Sequence, residues 1–227
     1  MYYEIYGRKW GDPDYGTESG EITWSADLGS NFQFDGGDTQ AEFDAALQDA
    51  FDAWETIADI DFKYVSSGDA DINVIVDEVD GQSYGTVGFA TWGGGTSVTN
   101  GTVTLDEAED WAPTGDGGID FYAVSLHEIG HILGLAHYIP ESGDPAQIMN
   151  SSVSVDDLQS GDIAGAQYLY GTGDGVAPPP PPDDPVDPEV PEDPVDPEVP
   201  VVPEDPVEPD EETPPVVISA DDDGGSS

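Results

Sequence analysis

The sequence contains no cysteine among its 227 residues. That removes disulfide frameworks and thiolate metal sites. It has almost no positive charge: Arg8, Lys9 and Lys63 stand against 50 acidic side chains, for a formal net charge of −47. Nucleic acid is excluded as an ordinary partner, because phosphate binding needs clustered lysine and arginine. Adhesion to an anionic membrane is disfavoured for the same reason. No apolar run approaches the ~20 residues of a membrane span. The opening residues lack the basic-then-apolar plan of a secretory leader. An exported protein is therefore expected to use a leader not contained here, or a route without one. Histidine is equally scarce, with three residues, all within one window of eleven positions.

Proline is abundant overall but not evenly placed. Of 20 prolines, 16 follow Gly171; only Pro13, Pro113, Pro140 and Pro145 precede it. Residues 172–227 carry 18 of the acidic side chains and no Lys, Arg or His. They open on the run Pro178 to Pro182 and continue with a near-repeat beginning at Asp184 and Asp193. Such a segment cannot bury enough apolar surface to offset its ordering entropy, so a disordered tail or linker is expected. Fully extended at ~3.1 Å per residue, it would reach roughly 170 Å, the property of a spacer. Residues 1–171 keep a charge of −29 and read as one folded domain.

Within that domain, residues 21–25 alternate like a strand. Thr39 and Glu42 form a capping box, after which Phe43, Leu47, Ala50, Phe51, Trp54, Ile57 and Ala58 share one helical face. Strands are expected at 61–65, 71–76, 88–92 and 101–105. A second helix should start near Asp120 and pass His131; a third should run from about Ser160 to Tyr170 and stop at Gly171. The order implies an α+β fold with one mostly contiguous sheet.

The chemistry is concentrated in His127-Glu128-Ile129-Gly130-His131-Ile132-Leu133-Gly134-Leu135-Ala136-His137. Spacing i, i+4 puts His127 and His131 on one helical face, one turn apart. Gly134 can adopt the left-handed conformation that ends a helix, which lets His137 swing back. Three neutral imidazoles plus water make an open tetrahedral zinc site. Zinc acidifies its water, and Glu128, next to the first ligand, is placed to take the proton.

These residues resemble the long zinc motif of the metzincins, and within that clan the matrixins, peptidase family M10. Ile148-Met149-Asn150 resembles the clan's Met-turn, with Met149 packed beneath the metal. The stretches 103–111 and 162–171 resemble the family's acidic segment and closing helix, and Trp54 matches a tryptophan of its first helix. The resemblance implies a metzincin-type α+β domain: a twisted, mostly parallel sheet, two long helices and a C-terminal helix. It also implies a calcium site at Asp80, Gly81, Asp106 and Glu109. Phe89 and Thr104 stand where the family's structural-zinc histidines are expected, so one zinc is predicted. An extended peptide substrate would lie along residues 86–91, including Gly88, Phe89 and Ala90. Val124, Asn150 and Ser151 would border the pocket beyond the cut.

Several positions depart from the pattern. The interval from His137 to Met149 is longer than usual, Tyr138 follows the third histidine, and Ser151 stands where other metzincins carry a metal-binding tyrosine. These 227 residues contain no cysteine-bearing inhibitory segment, so any latency is expected to need another device. The expected function is zinc-dependent endopeptidase, secreted or extracellular and monomeric, acting on proteins or peptides. The alternatives are an inactive zinc-containing binding or adhesion module and a surface protein whose acidic stalk is the working part. The acidity of the domain suggests operation in saline surroundings, where self-repulsion is screened.

Overall fold

The computed structural model describes residues 2–29, 37–66, 69–115 and 117–173. The acidic, proline-rich segment expected to be a spacer lies outside the described residues. Among the described residues, nine strands and three helices follow in chain order: β1 (Glu4–Ile5), β2 (Glu21–Asp27), α1 (Gln40–Ile57), β3 (Asp61–Tyr64), β4 (Ile72–Asp77), β5 (Gly88–Gly94), β6 (Val98–Asp106), β7 (Trp111–Ala112), β8 (Ile119–Asp120), α2 (Phe121–Ile132), β9 (Leu135–Ala136) and α3 (Ser160–Tyr170).

The main sheet has the order β3-β2-β4-β6-β5. Its first four strands are parallel and β5 runs antiparallel to β6. Alternation sends Ile22, Trp24, Ile72, Val74, Val103, Leu105 and Ala90 to the buried side. That makes β5 an edge strand, with one side of its backbone not engaged in the sheet. The antiparallel edge on a parallel sheet gives the α+β architecture that the element order implies.

Helix α1 begins where Glu42 Oε2 accepts the Thr39 N–H at 2.7 Å. Phe43, Ala46, Leu47, Ala50, Phe51 and Trp54 are buried along its inner face. Phe51 stacks on Trp24 of β2, centroids 4.2 Å apart. On the other side, Trp54 Nε1 donates to Leu126 O at 3.0 Å, which ties α1 to α2. Helix α2 is buried almost all round, because it is wedged between α1 and the inner face of β5 and β6. Helix α3 closes the back: its Tyr170 hydroxyl donates to Leu133 O at the exit of α2, and Gly171 ends it with a φ of +81°.

The short pairs β1–β9 and β7–β8 have no counterpart in the sequence reading, since two residues carry no periodicity.

Candidate active site

Helix α2 is capped by Asp120, whose Oδ1 accepts the Ala123 N–H at 2.9 Å, and carries His127 and His131 one turn apart, with Glu128 next to the first. At its end Gly134 turns with a φ of +104°; a Cβ there would lie 2.1 Å from Arg8 O, so only glycine fits. The chain then runs through β9 to His137. The result is convergence: His127 Nε2 lies 3.2 Å from His137 Nε2 and 3.1 Å from His131 Nε2. Among the described residues, these three form the one cluster of metal-ligating side chains whose ligand atoms all lie within 4.8 Å of one another.

The opposite ring nitrogens fix what those atoms offer. His127 Nδ1–H donates to Ile148 O at 2.6 Å, and His131 Nδ1–H donates to Leu135 O at 2.8 Å. Both Nε2 atoms therefore present lone pairs to the common point. Burial drives all three imidazoles towards the neutral form; His127 is pushed down to about 4, although its bond to Ile148 opposes this. Facing lone pairs at this distance repel unless a cation lies among them. Tetrahedral zinc with Zn–N of about 2.0–2.1 Å requires N···N separations of about 3.3–3.4 Å. The donor set and its spacing fit zinc.

Glu128 is 2% exposed. Its Oε2 has no hydrogen-bond partner, and burial raises its carboxyl well above the ordinary range. It lines a cavity of about 340 Å³ together with His127, Gly88, Val124, Ile119 and Ser151 to Val153. Gly88 keeps this approach open: a Cβ there would sit 3.0 Å from Thr104 O and 3.6 Å from Glu128 Oε1. Of the other residues singled out for the substrate, Phe89 pairs with Thr104 and so faces the opposite side of the sheet. Ala90 is buried against the core. Asn150 turns inward, accepting from Gln147 N at 2.7 Å and donating to Tyr138 O at 2.9 Å.

Met149 is 1% exposed and lies against Gly130, where an added Cβ would come within 2.4 Å of its sulfur. Its turn is clamped by Asp162, which accepts from Ile148 N at 2.9 Å and Met149 N at 3.1 Å. Asp162 also caps α3 through Gln159 N at 2.8 Å. The sequence reading placed Asp162 only within the closing helix. The signal for its role was its third place after Gln159, the position of a capping-box acid.

Of the four residues expected to hold calcium, Asp80 and Gly81 lie in the loop 78–87 that feeds β5, and Asp106 and Glu109 bond to its backbone. Asp106 is buried and accepts from Val79 N, Asp80 N and Ala108 N at 3.1–3.4 Å. Asp80 accepts from Thr86 N and Gln82 N, and these two bonds hold its carboxyl below the usual range. Gly81 sits at a φ of +68°. Glu109 accepts from Tyr84 N through Oε2, and its buried Oε1 has no partner.

A family model of the matrixins matches residues 21–171. Macrophage metalloelastase of Oryctolagus cuniculus is 32% identical over 151 residues, covering 62% of this chain and 31% of that protein. Matrix metalloproteinase-20 of Homo sapiens is 33% identical over 145 residues, covering 59% and 29%. Metalloendoproteinase 2-MMP of Arabidopsis thaliana is 29% identical over 154 residues, covering 61% and 40%. The matched region thus spans about a third of the length of these relatives. Since the matched segment takes in both histidines of α2, the turn at Gly134 and the closing helix, the chain belongs to the matrixins, a family of zinc metalloendopeptidases.

Proposed function

We propose that the protein is an extracellular zinc-dependent endopeptidase in which Glu128 carries the proton during peptide hydrolysis. The observation that supports this most is the convergence of three imidazole Nε2 atoms beside a buried carboxylate that opens on a cavity. His127, His131 and His137 would hold the ion. Zinc bound there supplies Lewis acidity, which polarises a carbonyl and acidifies water.

The rest is done by the chain. The edge of β5 takes an extended peptide as an added strand, through main-chain hydrogen bonds along residues 86–91. The side chain following the cut enters the space walled by Ile119, Val124 and Val153, with Ser151 and Ser152 at its polar side. Glu128 accepts a proton from the attacking water and returns it to the leaving amine, so no net proton is gained. Burial raises the affinity of this carboxyl for a proton, which suits the first half of that cycle, while a nearby divalent cation lowers that affinity and so eases the second.

Calcium is assigned to the loop 78–87, through Asp80, Gly81, Asp106 and Glu109. The unpartnered Glu109 Oε1 supports this reading, and oxygen ligands suit the ion. Residues 1–171 are read as a monomeric catalytic domain and residues 172–227 as its acidic spacer. An extracellular location agrees with the family. No helix among the described residues is long and apolar enough to cross a membrane.

Digestion of an unfolded protein such as casein, with fragments identified by mass, tests the reaction class. Internal cuts that stop with a chelator and return with one equivalent of zinc are expected. Trimming from chain ends alone, or cleavage indifferent to the chelator, would overturn the assignment.

A further inference from the structure

The three ligands do not account for how the third one is held. After α2 ends, the carbonyls of Ile132, Leu133 and Gly134 have no intrahelical partners. Each is met from elsewhere in the chain. Trp10 Nε1 donates to Ile132 O at 3.0 Å, the Tyr170 hydroxyl to Leu133 O at 2.7 Å, and Tyr6 N to Gly134 O at 2.9 Å. Strand β1 then pairs antiparallel with β9, Glu4 opposite Ala136 and Ile5 opposite Leu135. This two-residue ladder is the last fixed backbone before His137. Two of the three carbonyls, and all of β9, are therefore held by residues 4–10.

Tyr6 directly follows that strand and adds a side-chain contact. Its ring lies between Trp92 of the edge strand, centroids 4.7 Å apart, and His131, centroids 5.8 Å apart. Its hydroxyl oxygen is 3.4 Å from His131 Nδ1, behind the ligand nitrogen. The stronger partner of that Nδ1–H is Leu135 O at 2.8 Å, and Leu135 is itself paired with Ile5. The aromatic ring, rather than the hydroxyl, is thus the larger part of the brace.

We propose that Tyr6 is a positioning residue of the metal centre, wedging the His131 imidazole against Trp92 while the strand just before it holds β9 and so the approach of His137. This rests on the zinc reading above. Partners behind a metal-bound imidazole are commonly worth 10–100-fold in metal affinity.

Zinc affinity, measured by competition with a chromophoric chelator, and the visible absorption of the cobalt-substituted full chain test it together. Wild type, Tyr6→Phe, Tyr6→Ala and Tyr15→Ala are compared. Tyr15 packs its ring on Tyr168, 5.1 Å away, and no contact joins it to the histidines. Tyr6→Ala should weaken zinc binding about tenfold and alter the cobalt spectrum. Tyr6→Phe should restore both to within about threefold of wild type, and Tyr15→Ala should leave both unchanged. If Tyr6→Ala does not fold, Tyr6→Leu, which keeps bulk without the flat ring, takes its place and should weaken binding in the same sense. Wild-type affinity and spectrum in the alanine or leucine variant would overturn the proposal. So would an equal loss in Tyr15→Ala, which would mark a general loosening of the N-terminal segment. A wild-type chain that bound no zinc would overturn the zinc reading itself, a result distinguishable from either of these.

Discussion

Gly130 lies between the two histidines of α2, where nothing larger fits without displacing its neighbours. A Cβ there would meet Met149 Sδ at 2.4 Å and Trp54 Cζ2 at 3.0 Å, both in side chains with almost no exposure. Alanine gains about 1 kcal/mol over glycine in a helix interior, and overpacking a filled site costs about 1–3 kcal/mol. Gly130→Ala should therefore lower stability by about 1 kcal/mol, read as a shift of the denaturant midpoint; a raised midpoint would contradict the packing described. At this scale the sequence was most legible where the residues of the candidate site are close along the chain. His127, Glu128 and His131 follow from one helical turn, and His137 from the glycine between. Tyr6 was not legible, because its contact with His131 spans 125 positions and a lone tyrosine carries no periodic signal. Asn150 was singled out for its place beside Met149, yet its side chain bonds inward.

Among elements, the segment between His137 and Met149 carries its own fastening. The Tyr138 hydroxyl donates to Asp144 Oδ2 at 2.5 Å, and the same oxygen accepts from Glu141 N at 2.8 Å. The first bond, then the second, holds the Asp144 carboxyl below its ordinary range. The same bond is the main reason the Tyr138 phenol is pushed up to about 12. The fold thus favours the Asp144 carboxylate, whose contribution is present above about pH 4 and is lost as pH falls through the lower folded value. It favours the neutral phenol, whose contribution is present below about pH 10 and is lost as pH rises through about 12. The phenol missing from Tyr138→Phe in a difference titration should ionise near 12; ionisation near 10 would mean the bond is not made in solution. The helices and longer strands were legible from alternation and capping residues. The fastening was not, since it depends on a tyrosine and an aspartate meeting across a loop without a repeat.

For the whole molecule, charge is the dominant fact. Against 50 acidic groups stand three basic ones. Lys9 is buried, held by Trp10 O, Asp12 O and Thr17 Oγ1. Lys63 pairs with Glu21 at 3.0 Å on an exposed surface, where such pairs contribute about 0–1 kcal/mol. Repulsion therefore outweighs attraction, and salt should stabilise rather than weaken the fold. Screening length shortens from about 30 Å at 0.01 M to about 3 Å at 1 M. The melting temperature should rise across that range, and a flat or falling trend would count against the expected saline setting. The α+β order was legible because each main element has its own pattern. The closure of β1 on β9 was not, because it joins two residues near the start of the chain to two that lie just after α2.

The central claim, that Glu128 carries the proton at a site made by three histidines, is tested most directly by turnover of wild type and Glu128→Ala on one unfolded protein substrate. Zinc is held at one equivalent in both, with calcium present. Cleavage by the wild type, and at least a hundredfold less by the variant, is expected from general acid–base catalysis worth about 10²–10⁴-fold. Equal turnover with equal zinc would contradict the account.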